Sequence, residues 1–261
     1  MAVGVRAVCE HTFVHPASVR ELALSLVAEG VNDCEIARRL GVPRATVRDW
    51  RRPRYVPRAN RERGICPRCW RPAPRIVFSD ADYAELLALY LGDGHIATLA
   101  RTQMLRISLD AKYPGINDEI AALLRRCFPA NRVGRVLFDG GSTVVLHVYS
   151  RHLSCLFPQA GTGKKHERRI RLESWQEERV AAAPWAFLRG CIRSDGCAFV
   201  NRTGKYEYLS YAFTNLSDDI RGLFVKACRL VDVDCRPGRR DVRVNRRASV
   251  ALLVEHVGPT S

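Results

Sequence analysis

The sequence predicts an α+β protein built on an internal duplication and preceded by a small all-α domain. Three observations carry this reading. Leu-Leu-Ala-Leu-Tyr-Leu-Gly-Asp-Gly at residues 86–94 is matched 102 residues later by Leu-Arg-Gly-Cys-Ile-Arg-Ser-Asp-Gly at residues 188–196. The order of strand-like and helix-like runs after the first copy recurs after the second, as an internal repeat requires. Residues 18–52 hold three short runs of helical periodicity separated by glycines.

Each copy reads as a helix that finishes on an aspartate, Asp93 or Asp195, with a glycine beyond where the chain turns away. Ser79 with Asp82 three residues on makes a capping box for the first, and Pro184 suits the first turn of the second. Residues 83–92 are almost all apolar, which in a water-soluble helix means burial on every side. Ala88 with Gly92, and Gly190 with Ser194, place small residues one turn apart, so the two helix backbones can approach closely. A carboxylate at a helix C-terminus faces the negative end of the macrodipole, and two such helices packed in parallel add like-charge repulsion. A divalent cation such as Mg2+ held between Asp93 and Asp195 removes both penalties. The alternative is that each Asp-Gly is an ordinary turn.

Downstream of the first copy, residues 95–100 and 104–109 suggest an antiparallel pair, followed by a helical run at 117–128, then Val144–Tyr149 leading to Leu153–Phe157. After the second copy come Tyr208–Thr214, Ser217–Val231, and Asp241–Asn245 leading to Val250–Val254. With these repeats, the paired stretches resemble the motifs of LAGLIDADG homing endonucleases in their single-chain, two-motif form. The resemblance covers about residues 79–261. It implies two αββαββα halves related by a pseudo-two-fold axis, saddle-shaped antiparallel sheets that face duplex DNA, and a monomer. Arg193 departs from the family pattern, which usually has an acid there, and only the final acid of each motif is kept.

A net charge of +15 points to a polyanionic partner, nucleic acid before membrane. Of the 42 basic residues 37 are Arg, which suits phosphate and guanine contacts and equally a GC-rich genome. No run approaches a membrane span and no secretion signal is visible, so the expected localisation is cytoplasmic, at the nucleoid. Ten cysteines in such a compartment argue against a disulfide framework. Cys66 and Cys69 form the sole CxxC and are zinc candidates, but the second ligand pair is missing unless Cys9 and His11 supply it.

Val19, Leu22, Ala23, Leu26 and Val27 mark one face of a first helix, with Ser18 and Glu21 as its capping box and Gly30 as its stop. A second helix starts at Asn32, Gly41 is the turn, and Pro43 opens a third with Val47 and Trp50 inward. Asp33–Arg52 resembles the helix-turn-helix domains of bacterial regulators and recombinases. That resemblance implies DNA contact from Arg44, Ala45, Thr46, Arg48, Asp49 and Arg52; a protein-binding three-helix module is the alternative. Domains are expected at 1–53 (helix-turn-helix), 54–78 (a basic, proline-rich linker carrying the CxxC) and 79–261, with halves 79–165 and 166–261.

On the sheets, Arg101, Gln103, Arg106, Ser108 and Asp110 in half one are candidates for the DNA face. Asn201, Arg202, Lys205, Tyr211 and Asn215 are their counterparts in half two. Between the halves, Gly161-Thr162-Gly163-Lys164-Lys165 lacks phosphate-loop spacing, and by the family resemblance Lys164 or Lys165 reaches the active site. The resemblance assigns catalysis to Asp93, Asp195 and that lysine, with metal held by Asp93, Asp195, Gly92 and Ser194. The cofactor is Mg2+, with Mn2+ as substitute. The implied activity is Mg2+-dependent hydrolysis of double-stranded DNA at a specific sequence. A non-cleaving helix-turn-helix regulator is the main alternative, and an RNA-splicing maturase a weaker one.

Overall fold

The computed structural model describes residues 17–51 and 78–258, and the chain divides into two compact units, residues 1–61 and 62–261. In the first unit, α1 (Ala17–Ala28), α2 (Asp33–Leu40) and α3 (Arg44–Arg51) enclose a core of Ala23, Ile36, Val42 and Val47. Asn32 caps α2 by accepting from the N–H of Cys34 and Glu35. Gly41 then adopts φ +63°, a left-handed conformation natural to glycine, and directs the chain into α3. Trp50 packs against this core, half-buried. Two expectations shift. α1 begins at Ala17, so Ser18 lies inside the first turn, and Leu22 is 52% exposed because the two short helices α2 and α3 cover only a narrow stripe of α1.

The second unit repeats itself. Half one runs α4 (Asp80–Leu91), β1 (Gly94–Thr98), β2 (Gln103–Asp110), α5 (Pro114–Cys127), β3 (Val133–Phe138), β4 (Thr143–Ser150) and α6 (Leu153–Leu156). After α7 (Ser174–Ala182), half two runs α8 (Pro184–Asp195), β5 (Gly196–Thr203), β6 (Tyr206–Thr214), α9 (Asp218–Leu230), β7 (Arg236–Pro237), β8 (Asp241–Val244) and α10 (Arg247–His256). Both sheets are antiparallel with the same order, β1-β2-β4-β3 and β5-β6-β8-β7. Each half is therefore αββαββα, and the architecture is α+β. The fourth strand is shortened in half two, where β7 has two residues.

The centre is the α4–α8 pair. Tyr83 to Leu91 are all buried, nine consecutive positions. That is possible because α4 meets α8 on one face and α7, α5 and β1 around the rest. α7 was not anticipated from sequence. It docks through Gln176, whose Nε2 donates to the Tyr83 hydroxyl (2.7 Å) and whose Oε1 accepts from Gln159 Nε2 (2.6 Å).

One glycine has no such constraint. Gly222 lies within α9, exposed, with no atom within 4 Å of a would-be Cβ and no left-handed φ. Gly222→Ala should raise stability by about 0.5–1 kcal/mol, read as a higher urea midpoint at unchanged m-value.

Candidate active site

α4 and α8 pack in parallel through their small residues. A Cβ on Gly190 would lie 2.5 Å from the Glu85 carbonyl oxygen and 2.7 Å from Ala88 Cβ. A Cβ on Gly92 would lie 2.5 Å from Ser194 Cβ and 3.0 Å from Asp195 Oδ2. Contacts therefore advance along both helices in the same direction, and their C-termini end together. Ser79 starts α4 by accepting from the Asp82 N–H (3.0 Å).

The helix ends differ from the sequence expectation. α8 finishes on Asp195, but α4 stops at Leu91, and Gly92 (φ −76°, ψ −98°) precedes Asp93. Gly94 and Gly196 do not turn left-handed. Each begins a strand folded back on the helix just left, so a Cβ would lie 2.8 Å from Tyr90 O or 2.6 Å from Ile192 Cα. Absence of a side chain, rather than backbone freedom, is what these glycines supply.

Asp93 lies within the field of Asp195. Burial first, then the Asp195 charge, raises the Asp93 pKa to about 7, with Lys165 opposing. The Asp195 carboxyl is also raised by burial, opposed by a hydrogen bond from Asn215 Nδ2 to Oδ2 (2.6 Å) and by Lys165. Lys165 Nζ donates to the carbonyls of Tyr90 (2.6 Å), Gly92 (2.6 Å) and Gly94 (2.8 Å), closing the end of α4 on both sides of Asp93. Burial brings its pKa down to about 8 although both aspartates favour the cation. A cleft of about 820 Å³ opens beside this group, lined among others by Gly92, Gly94, Lys165, Arg168, Asp195 and Asn215.

Of the two lysine candidates, the structure brings Lys165 to the acids; Lys164 points to solvent, 3.8 Å from Glu167. Gly92 and Ser194 form the helix contact. The Gly92 carbonyl is taken by Lys165, and the Ser194 hydroxyl donates back to Gly190 and Cys191 carbonyls of its own helix. Arg193 turns away from the acids to Glu85 and Glu119. Among the described residues no three of His, Cys, Asp and Glu converge. The donor chemistry nevertheless fits Mg2+, which is held by one or two carboxylates and completed by water and phosphate. Asp195 keeps its second oxygen free of Asn215.

Sheet candidates sort by strand parity. Arg106, Ser108 and Asp110 stand on the exposed side of β2, with His95 and His147 beside Arg106 in register. Gln103 has core-side parity and is tied to Ser154 at the start of α6, its Oε1 accepting from the Ser154 N–H (3.0 Å). Arg101 is exposed in the β1–β2 turn, and its carbonyl accepts from Arg151. In half two Asn201 is exposed on the side of Cys197, while Arg202 has the opposite parity and pairs with Glu207 (2.8 Å). Tyr211 is buried, its hydroxyl donating to the Gly258 carbonyl (3.1 Å), and Asn215 serves Asp195 instead of the sheet face. On α3, Arg44, Ala45, Arg48 and Asp49 are exposed and Thr46 half-buried. Arg52, Cys9, His11, Cys66, Cys69 and the linker 54–77 lie outside the described residues. Asn215 was not foreseen at the acids; no sequence signal marks a residue just past a strand end as a carboxylate partner.

Residues 15–55 match the family model of a homeodomain-like domain. Among solved structures the neighbours are LAGLIDADG homing endonucleases and WhiA. The homing endonuclease I-WcaI bound to its DNA recognition sequence is 12% identical, with 70% of this chain and 82% of that one covered, at TM-score 0.45. I-DmoI in complex with DNA and Mn is 16% identical, covering 69% and 98%, at 0.48. Full-length DUF199/WhiA from Thermatoga maritima is 14% identical at 0.46; 70% of this chain matches, spanning 57% of that protein. A search of curated protein sequences found no match. Likeness at this level leaves the chemistry to be read from the side chains.

Proposed function

We propose that this protein binds double-stranded DNA and hydrolyses a phosphodiester in it, using Asp93 and Asp195 to hold a divalent cation, Mg2+ or Mn2+. One observation carries the reading: two half-buried carboxylates stand close at the joined C-terminal ends of α4 and α8, where dipole and like charge both oppose them. A fold gains nothing from that arrangement alone. When bound, the cation supplies charge neutralisation and polarisation at the phosphate. Asp93 and Asp195 anchor it, Asn215 orients Asp195, and Lys165 fixes the backbone on both sides of Asp93. The exposed sides of β2 and β5, with Arg106 and Asn201, offer base and phosphate contacts, and Arg44 and Arg48 on α3 add backbone affinity. The charge of +15 suits that partner. Among the described residues no helix is long and apolar enough to cross a membrane.

The test is metal binding against pH. Asp93 must lose its proton to serve as a ligand, so Mn2+ affinity should rise about tenfold per pH unit up to about 7 and level off above it. Titration calorimetry from pH 5 to 8.5 reads this. A flat profile would remove Asp93 as a ligand, and no binding would remove the metal. A second reading, a regulator that binds DNA without cutting, is favoured by Lys165, whose three hydrogen bonds to carbonyls commit its protons within the fold.

A further inference from the structure

Glu85 is a charged residue inside the most buried helix, and the two-carboxylate site makes no use of it. Its side chain is only 6% exposed. Oε2 accepts from Arg189 Nη2 at 2.7 Å and Oε1 from Arg193 Nη1 at 2.9 Å, so two arginines one turn apart on α8 grip one carboxylate from α4. Arg193 also holds Glu119 on α5, and Arg189 Nη1 donates to the His256 carbonyl at 3.5 Å. The network thus joins half two to half one beside the place where Gly190 meets the Glu85 backbone.

We infer that Glu85, Arg189 and Arg193 are positioning residues that set the register of α4 against α8, and with it the spacing of Asp93 and Asp195. The inference rests on the proposed role of those two acids. Ala88, Gly92, Gly190 and Ser194 let the helices approach closely, and the grip on Glu85 adds a directional polar constraint to that steric fit. Moving α8 by one residue shifts it by about 1.5 Å and turns it by about 100°, which would break both bonds to Glu85. Asp195 is two residues beyond Arg193 on the same helix, so the grip holds it against the end of α4, to which Lys165 ties the backbone around Asp93. Setting register is the best-attested use of buried polar groups. Arg193, which stands where the resembling family has an acid, has its place in this network.

The test removes the buried part of the network at once with Glu85→Met, Arg189→Met and Arg193→Met, leaving the exposed Glu119 in water. Replacing a complete buried ion network by apolar groups of similar size is often neutral or stabilising, so the melting midpoint should hold. Two readings then decide. Amide exchange at Gly92 and Gly196, which donate to Ala88 O and Ile192 O, should quicken at least tenfold relative to amides of α9. The Mn2+ dissociation constant should rise at least tenfold. A folded variant with wild-type exchange at those amides and wild-type Mn2+ affinity overturns the inference. If the wild-type protein takes no Mn2+, the metal reading fails, and exchange alone decides: selective loss of protection supports the lock, unchanged protection ends it. Should the triple variant not fold, Glu85→Gln, which keeps the shape, is judged by the same two readings.

Discussion

Asp93→Asn should make the protein more stable at pH 8 and leave it unchanged at pH 4. The Asp93 pKa stands at about 7 against an ordinary 3.8. Below about pH 4 the carboxyl is protonated in both folded and unfolded chains, and its preference for the neutral form is fully satisfied. Between 4 and 7 the unfolded chain ionises while the folded one holds its proton, so stability falls as pH rises; above 7 the loss is complete. At 1.36 kcal/mol per unit the loss reaches about 4 kcal/mol as an upper figure. Asn cannot ionise and escapes it. Urea unfolding at pH 4 and pH 8, without divalent ions, reads the difference. The same substitution, and Asp195→Asn, should lower DNA cleavage by roughly a hundred- to a thousandfold or more, since each removes charge stabilisation at the reacting phosphate. A residue that costs stability and is needed for activity is a functional acid. An Asn variant that unfolds would make it a structural one.

Gly190→Ala should cost about 3 kcal/mol, the top of the ordinary range for overpacking, and abolish cleavage along with it. The new Cβ would meet the Glu85 carbonyl oxygen at 2.5 Å and Ala88 Cβ at 2.7 Å. A backbone atom in the middle of a buried helix has no rotamer with which to yield, so the helices must separate or tilt. Gly222→Ala, in open space on α9, should show the opposite sign under the same denaturation. Equal effects at the two glycines would mean the α4–α8 contact is looser than its geometry.

Much of this was readable in the amino-acid order. The two Asp-Gly endings, the all-round apolar run before Asp93, and the small residues at 88, 92, 190 and 194 express themselves through local chemistry, and they mark the helix pair correctly. What sequence left open depends on contacts between distant elements. Lys164 and Lys165 are adjacent and chemically identical; only the fold decides which one meets the carbonyls of α4. Gln103 and Arg106 sit on one strand, and three residues apart means opposite faces, so the two cannot share one face of the sheet. Glu85 interrupts an apolar stretch, yet its two arginines come from a helix a hundred residues on. Asn215 lies at a strand end that looks like any loop start, and α7 has too weak a periodicity to announce itself.

Cleavage itself is the most direct measurement. The full chain, incubated with a randomised duplex library in Mg2+ and in parallel with EDTA, should release ends that share one sequence only in Mg2+, and none with Asp93→Asn. A library that yields a tightly bound sequence, with no broken strand in either Mg2+ or Mn2+, would contradict the hydrolytic account and leave a DNA-binding regulator in its place.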